Sequence, residues 1–231
     1  MKKTFLIFVL IFSAIQLWSQ NKSDERVPLI GEKTPSFTAT TTNGKLNFPT
    51  DYGSKWKILF SHPQDFTPVC SSEILELAFA QSDFEKLNVA IAVLSKDPID
   101  QHVQWKKSIE EINYQGRGQV KINFPIIADD NLLVSKKYGM LMTKDVRGVF
   151  IVDPDDIIQA IFFYPRSVGR NIEEVKRTVV ALQTARANNV MIPANWQKGN
   201  DVLIPLKPET ALEKVGTTDV TWYMTFKKLD L

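Results

Sequence analysis

Cysteine is almost absent: the 231 residues hold one, Cys70. A single thiol excludes an internal disulfide, and no cysteine cluster can hold zinc. Histidine is nearly as scarce, with two in the chain. An excess of either charge is also missing. Lys and Arg total 28 against 26 Asp and Glu, a formal +2. Loss of residues 1–20 would remove Lys2 and Lys3 and no acid, bringing the balance to zero. A neutral chain has no electrostatic reason to seek nucleic acid. Internal repeats and low-complexity tracts are lacking as well. Long apolar runs are confined to the start, where "MKK" precedes the fifteen uncharged residues "TFLIFVLIFSAIQLW" and the polar "SQNKSDER". That run falls short of the roughly 20 residues a spanning helix needs. Its basic, apolar, polar order predicts a signal peptide over 1–20, cleaved after Ser19 or Gln20. An uncleaved N-terminal membrane anchor is the alternative. Exported proteins meet oxidising surroundings, where a solitary cysteine is unusual and becomes a candidate for reactivity.

What is present has ordinary globular proportions, with 44% hydrophobic and 23% charged residues. The apolar runs "WKILFS" (56–61), "VAIAVLS" (89–95) and "FPIIAD" (124–129) predict buried strands. Helical spacing marks 70–87, 98–112, with Pro98 in the first turn, and 171–189. A short helix over 131–139 is closed by Gly139. "RGVFIVDP" (147–154) and "IIQAIFFYP" (157–165) predict two antiparallel strands around the turn "DPDD". Strands alternating with helices imply an α/β mixed sheet. Residues 190–231 break the pattern and predict a small C-terminal extension of short β runs, packed on a second subunit.

The stretch "FSHPQDFTPVCSSEI" (60–74) gathers the chemistry. Thr67-Pro68 starts a helix, with Thr as cap and Pro at the first helical position. Cys70 then falls in the first turn, where the helix dipole and free amides favour a thiolate. Three-residue spacing lets the Thr67 hydroxyl point at the sulfur. His62 ends the preceding strand beside the same pocket. A buried, inert cysteine is the competing reading, since free cysteines are often packing residues.

"HPQDFTPVC" resembles the active-site loop of peroxiredoxins, P-x-x-x-T-x-x-C, through Pro63, Thr67 and Cys70. The resemblance runs from "GEKTPSFTATTTNG" (31–44) through "RGVFIVDP" with Arg147 and "VGRNIEEV" with Arg170 to "PANWQKGNDVLIP" (193–205). It implies a thioredoxin-like fold: a mixed sheet flanked by helices over 28–189, followed by the extension. It also implies a peroxidase whose Cys70 thiolate attacks a hydroperoxide and becomes a sulfenic acid. Thr67, the amides near Val69 and Cys70, and Arg147 would stabilise the breaking O–O bond, with Pro63 shielding the pocket. Glu73 and Arg170 would orient Arg147. His62 would serve either as a structural hydrogen-bonding group or in tuning and shielding the thiol. No cofactor or metal is called for.

Two-cysteine members carry a resolving cysteine in a late V-C-P segment; here the segment reads "VMIPANW", with Ile192 at that position. The chain therefore resembles the one-cysteine subgroup, which implies an external thiol reductant and a homodimer. Some members of that subgroup show a phospholipase activity from a Ser and a His, but the aligned positions are Lys55 and Pro49. No such activity is expected. The segment 139–148 is shorter than the usual loop before the arginine strand. Two other readings compete. A disulfide exchanger would need C-x-x-C where the chain has "CSSE", and a non-enzymatic holdase or interaction dimer would merely retain the fold.

Overall fold

In a computed structural model, the described residues are 26–140, 146–205, 218–221 and 223–229. The predicted leader at 1–20 and most of the short segment before Arg147 lie outside them.

Seven strands form one mixed sheet, in the order β2-β1-β5-β4-β3-β6-β7. At one edge β1 (Phe37–Thr41) and β2 (Gly44–Phe48) form a hairpin. Its two-residue turn ends on Gly44 at φ +100, a conformation glycine adopts without steric cost. In the centre β3 (Trp56–Ser61), β4 (Val89–Ser95) and β5 (Ile126–Ala128) run parallel. β6 (Arg147–Val152) and β7 (Ile158–Tyr164) complete the sheet as an antiparallel pair, β6 lying against β3.

The central strands are apolar along their whole length because both faces are covered. Ile58, Phe60, Val93, Val149 and Ile151 face a core built with α1 (Pro68–Lys86) and α4 (Ile172–Asn188). α2 (Ile99–Glu110) adds Trp105 and Ile109 to it. The intervening Leu59, Leu94, Phe150 and Val152 face a second core with Phe48, Val134 of α3 (Leu133–Lys137) and Tyr138. Alternation along each strand thus delivers one residue to each core in turn.

Boundaries shift slightly from expectation. Pro98 is the residue before α2 rather than part of its first turn, with φ −73 and ψ 159. The third apolar run pairs over only three residues, its opening Phe124 and Pro125 lying ahead of the ladder. Gly139 does follow α3, with φ +64. The hairpin β1–β2 was not anticipated, although Phe37 and Ala39 alternate with threonines ahead of an Asn-Gly turn. Beyond α4, Trp196 and Val202 pack on Ala181. β8 (Val202–Leu203), β10 (Met224–Lys227) and β9 (Thr218–Thr221) form a separate three-stranded sheet in that order.

Candidate active site

The turn between β3 and α1 is shaped by its ends. The His62 amide donates to the Leu94 carbonyl, which keeps the end of β3 on the sheet. Phe66 then takes φ +52, left-handed and strained for a bulky residue, and Thr67 returns to extended geometry before the helix. Pro68 opens α1, so Cys70 is the third helical residue, as expected. The thiol is 1% exposed and unpaired with another cysteine.

The Thr67 hydroxyl commits its proton within the turn: it donates to the Gln64 carbonyl at 2.9 Å rather than to the sulfur. Nor does it cap the helix by its side chain. Thr67 is held extended at the end of a tight turn, and its nearest acceptor is that turn's own carbonyl. Its main-chain carbonyl nevertheless accepts from the Ser71 amide, the first bond of the helix.

Above the thiol lies a buried ionic cluster drawn from three segments. Arg147, the first residue of β6, places Nη1 at 3.3 Å from Cys70 Sγ and 2.7 Å from Glu73 Oε2. Glu73 stands one turn beyond Cys70 on α1. Its other partner is Arg170, just before α4, whose amide and Nε donate to Oε1 at 2.7 and 2.8 Å. Arg170 Nη2 donates to Oε2, also at 2.8 Å. The Arg170 guanidinium further donates to the Gly148 carbonyl and stacks 3.4 Å over the Phe60 ring. All four side chains, Cys70 included, are buried. Burial alone would push the Glu73 carboxyl up; the bonds and charge of Arg170, with Arg147, hold it below the ordinary carboxylate value. Burial pulls the Arg170 guanidinium down from its usual value, against the pull of Glu73.

Arg147 is gripped on its far side too. Its Nε and Nη2 both donate to the Arg166 carbonyl, at 3.0 and 2.6 Å. Four of the five guanidinium N–H groups are thereby engaged, and one on Nη2 is left for an incoming oxygen among the described residues.

His62 belongs to a second buried network that the sequence did not reveal. Its Nε2 lies 2.8 Å from Asp65 Oδ1, while Asp65 Oδ2 lies 2.6 Å from Nδ1 of His102 on α2. Asp97 accepts from the Asp65 amide, closing the turn from the β4 side. Burial would raise the Asp65 carboxyl, but the two imidazoles hold it low. Burial likewise pulls the His62 imidazole below its ordinary value, overcoming Asp65. Its ring leans on Trp105 at 4.9 Å, and Trp105 Nε1 donates to Ser71, the neighbour of Cys70. The structural reading of His62 thus has its partner. The one signal available was the three-residue spacing of His62 and Asp65 in a turn. Pro63 is buried beside His62.

A lone thiol at a helix start, covered by a guanidinium on a thioredoxin-like sheet, defines a thiol-based redox enzyme. Comparison with known proteins makes the class specific. Residues 30–161 match the AhpC/TSA family, and residues 181–217 match the C-terminal domain of 1-Cys peroxiredoxin. A peroxiredoxin of Methanosarcina mazei is 47% identical over 215 residues, covering 87% of this chain and 98% of its own. One from Thermotoga petrophila is 43% identical over 217 residues, covering 88% and 99%. Among solved structures, a yeast mitochondrial 1-Cys peroxiredoxin superposes with a TM-score of 0.79 at 37% identity, covering 88% of this chain and all of that one. Its thiol is resolved via the glutathione/thioredoxin systems. The peroxiredoxin 6 of Arenicola marina gives 0.76 at 30% identity, covering 87% and 98%. The chain belongs to the peroxiredoxin family, in its one-cysteine subgroup. It is a thiol peroxidase: Cys70 reduces hydroperoxides through a sulfenic acid that an external thiol resolves.

Proposed function

We propose that Cys70, Thr67 and Arg147 carry the peroxidase chemistry, with Pro63 closing the turn beside them and Glu73 and Arg170 orienting Arg147. The observation that carries this reading is the Arg147 Nη1–Sγ contact of 3.3 Å inside a buried cluster. Two guanidiniums and one carboxylate leave one unit of positive charge there, which a thiolate neutralises. The thiolate attacks the hydroxyl oxygen of a hydroperoxide, forming the S–O bond as the O–O bond breaks. Cys70 becomes a sulfenic acid, and the departing alkoxide takes up a proton to leave as alcohol or water. Thr67, whose proton is committed to Gln64, offers lone pairs to the O–H of the peroxide. The remaining Arg147 N–H meets charge growing on the leaving oxygen, where a preorganised donor acts most strongly.

An external thiol then attacks the sulfenic sulfur, releases water and leaves a mixed disulfide; a second thiol frees Cys70. A glutathione- or thioredoxin-type reductant is the natural candidate, by analogy with the yeast relative. The homodimer is supported by β7, an outermost strand of the sheet: beyond Ile158, which bonds to Gly31 and Glu32, its edge pairs with no further strand among the described residues and offers main-chain groups to a second copy. The peroxidase unit is taken as 28–189 and the extension as 190–231, since α4 ends at Asn188. The basic, apolar, polar order of residues 1–20 supports export to the periplasm or beyond, with an N-terminal anchor as the alternative. The start of the native protein, near Gln20 or at Met1, decides between them.

The decisive experiment treats the protein with equimolar hydrogen peroxide and follows intact mass with a sulfenic-acid trap. Rapid stoichiometric trapping at Cys70, lost in Cys70→Ser, is expected. Reaction no faster than that of a free thiol would sink the assignment.

A further inference from the structure

Thr67 and Arg147 are placed by different parts of the chain, yet the residues holding them also hold each other. The Gln64 carbonyl accepts the Thr67 hydroxyl, and the Arg166 carbonyl accepts two bonds from Arg147. The side chains of these same two residues then meet, Arg166 Nη2 donating to Gln64 Oε1 at 3.3 Å across 102 residues. Each main-chain carbonyl that fixes a group at the thiol thus belongs to a residue whose side chain grips the opposite turn. The first turn is under constraint elsewhere, Phe66 holding a strained φ of +52. The second lies against α1, where a Cβ on Gly169 would sit at contact distance, 3.4 Å, from Val69 Cγ1.

We propose that Gln64 and Arg166 form a latch across the mouth of the site that sets the separation of Thr67 and Arg147 around the peroxide. They are positioning residues: each acts through its carbonyl, Gln64 on Thr67 and Arg166 on Arg147. The inference rests on the reading that Thr67 and Arg147 flank the breaking O–O bond. The geometry of that bond is sensitive, because a misplacement of 1 Å can cost about a hundredfold in rate. A latch that allows a smaller drift is expected to cost on the order of tenfold.

The test is a double-variant cycle on the whole protein, with Gln64→Ala, Arg166→Ala and both together. Two rates are read at Cys70: oxidation by hydrogen peroxide and alkylation by iodoacetamide. Alkylation needs the sulfur but no stabilised O–O bond. Arg166 makes other contacts as well, and the cycle isolates the shared bond from them. Each single variant should slow peroxide oxidation about tenfold, the double no more than the slower single, with alkylation unchanged. Wild-type oxidation in the singles, additive losses, or an equal fall in alkylation would overturn the latch. Thr67→Val run alongside separates the two levels. If it slows oxidation while the latch variants do not, the latch alone fails. If it oxidises at the wild-type rate, the reading beneath the latch fails.

Discussion

Glu73 holds both arginines with two oxygens, so its charge state sets whether the cluster stands. Removing the carboxylate leaves two buried guanidiniums short of a counterion, and breaking a buried ionic network in this way costs about 3–5 kcal/mol. Glu73→Ala should therefore lose that much stability in urea denaturation, with peroxide reactivity falling alongside. The pH dependence follows from sign. The folded Glu73 carboxyl titrates below its ordinary 4.5. Its contribution is full above about 4.5 and is lost as the pH falls through the folded value. The His62 imidazole, also below its ordinary 6.5 when folded, favours the folded state in its neutral form. Its contribution is full above about 6.5 and is lost as the pH drops from there through its folded value. Denaturation midpoints should thus decline in two stages on acidification, the lower one shared between Glu73 and Asp65, whose carboxyl is also held low. Glu73→Gln should shrink the lower stage, and an unchanged lower stage in that variant would refute the contribution of Glu73.

At the scale of elements, helix starts deliver Cys70 and Arg170, and a strand start delivers Arg147. The Asn171 side chain accepts from the Glu174 amide at 3.1 Å and caps α4 directly after Arg170. Asn171→Ala should cost about 1 kcal/mol and Asn171→Gly only a few tenths, a contrast that marks a cap rather than a packing residue. In α1, Leu77 is fully buried between helix and sheet. Leu77→Ala should cost about 2–5 kcal/mol by thermal or urea unfolding. Most elements were legible in the chain because their signals are local. The continuous apolar runs of β3 and β4 mark strands covered on both faces, and Thr67-Pro68 marks a helix start. Arg147, Arg170 and Glu73 were legible only through resemblance to a family, since no local pattern shows that residues 74 and 97 positions apart converge. A structural hydrogen bond for His62 was one of the two readings, but its partners Asp65 and His102, and the bond of the Thr67 hydroxyl to Gln64, were not legible. Both depend on where a side chain finds its nearest acceptor after the backbone is placed. The hairpin β1–β2 had a local signal as well, Phe37 and Ala39 alternating with β-branched threonines ahead of Asn43-Gly44, but a shorter one than the long apolar runs.

For the whole molecule, the sheet is covered on both faces and ends on β7, whose start is bonded by Gly31 and Glu32 and whose remaining edge pairs with no further strand among the described residues. Such an edge invites pairing with another chain. Light scattering of the purified protein should give about twice the mass of one chain; the mass of a single chain at micromolar concentration would remove the dimer from the proposal.

The cluster at the thiol also has a consequence in time. Cys70 precedes Arg147 by 77 residues, and Arg170 follows later still. A chain emerging in order therefore presents its cysteine long before the groups proposed to activate it exist in place. On that proposal Cys70 stays an ordinary thiol until β6 and the start of α4 dock, so its oxidation by dilute peroxide would time the assembly of the cluster during folding.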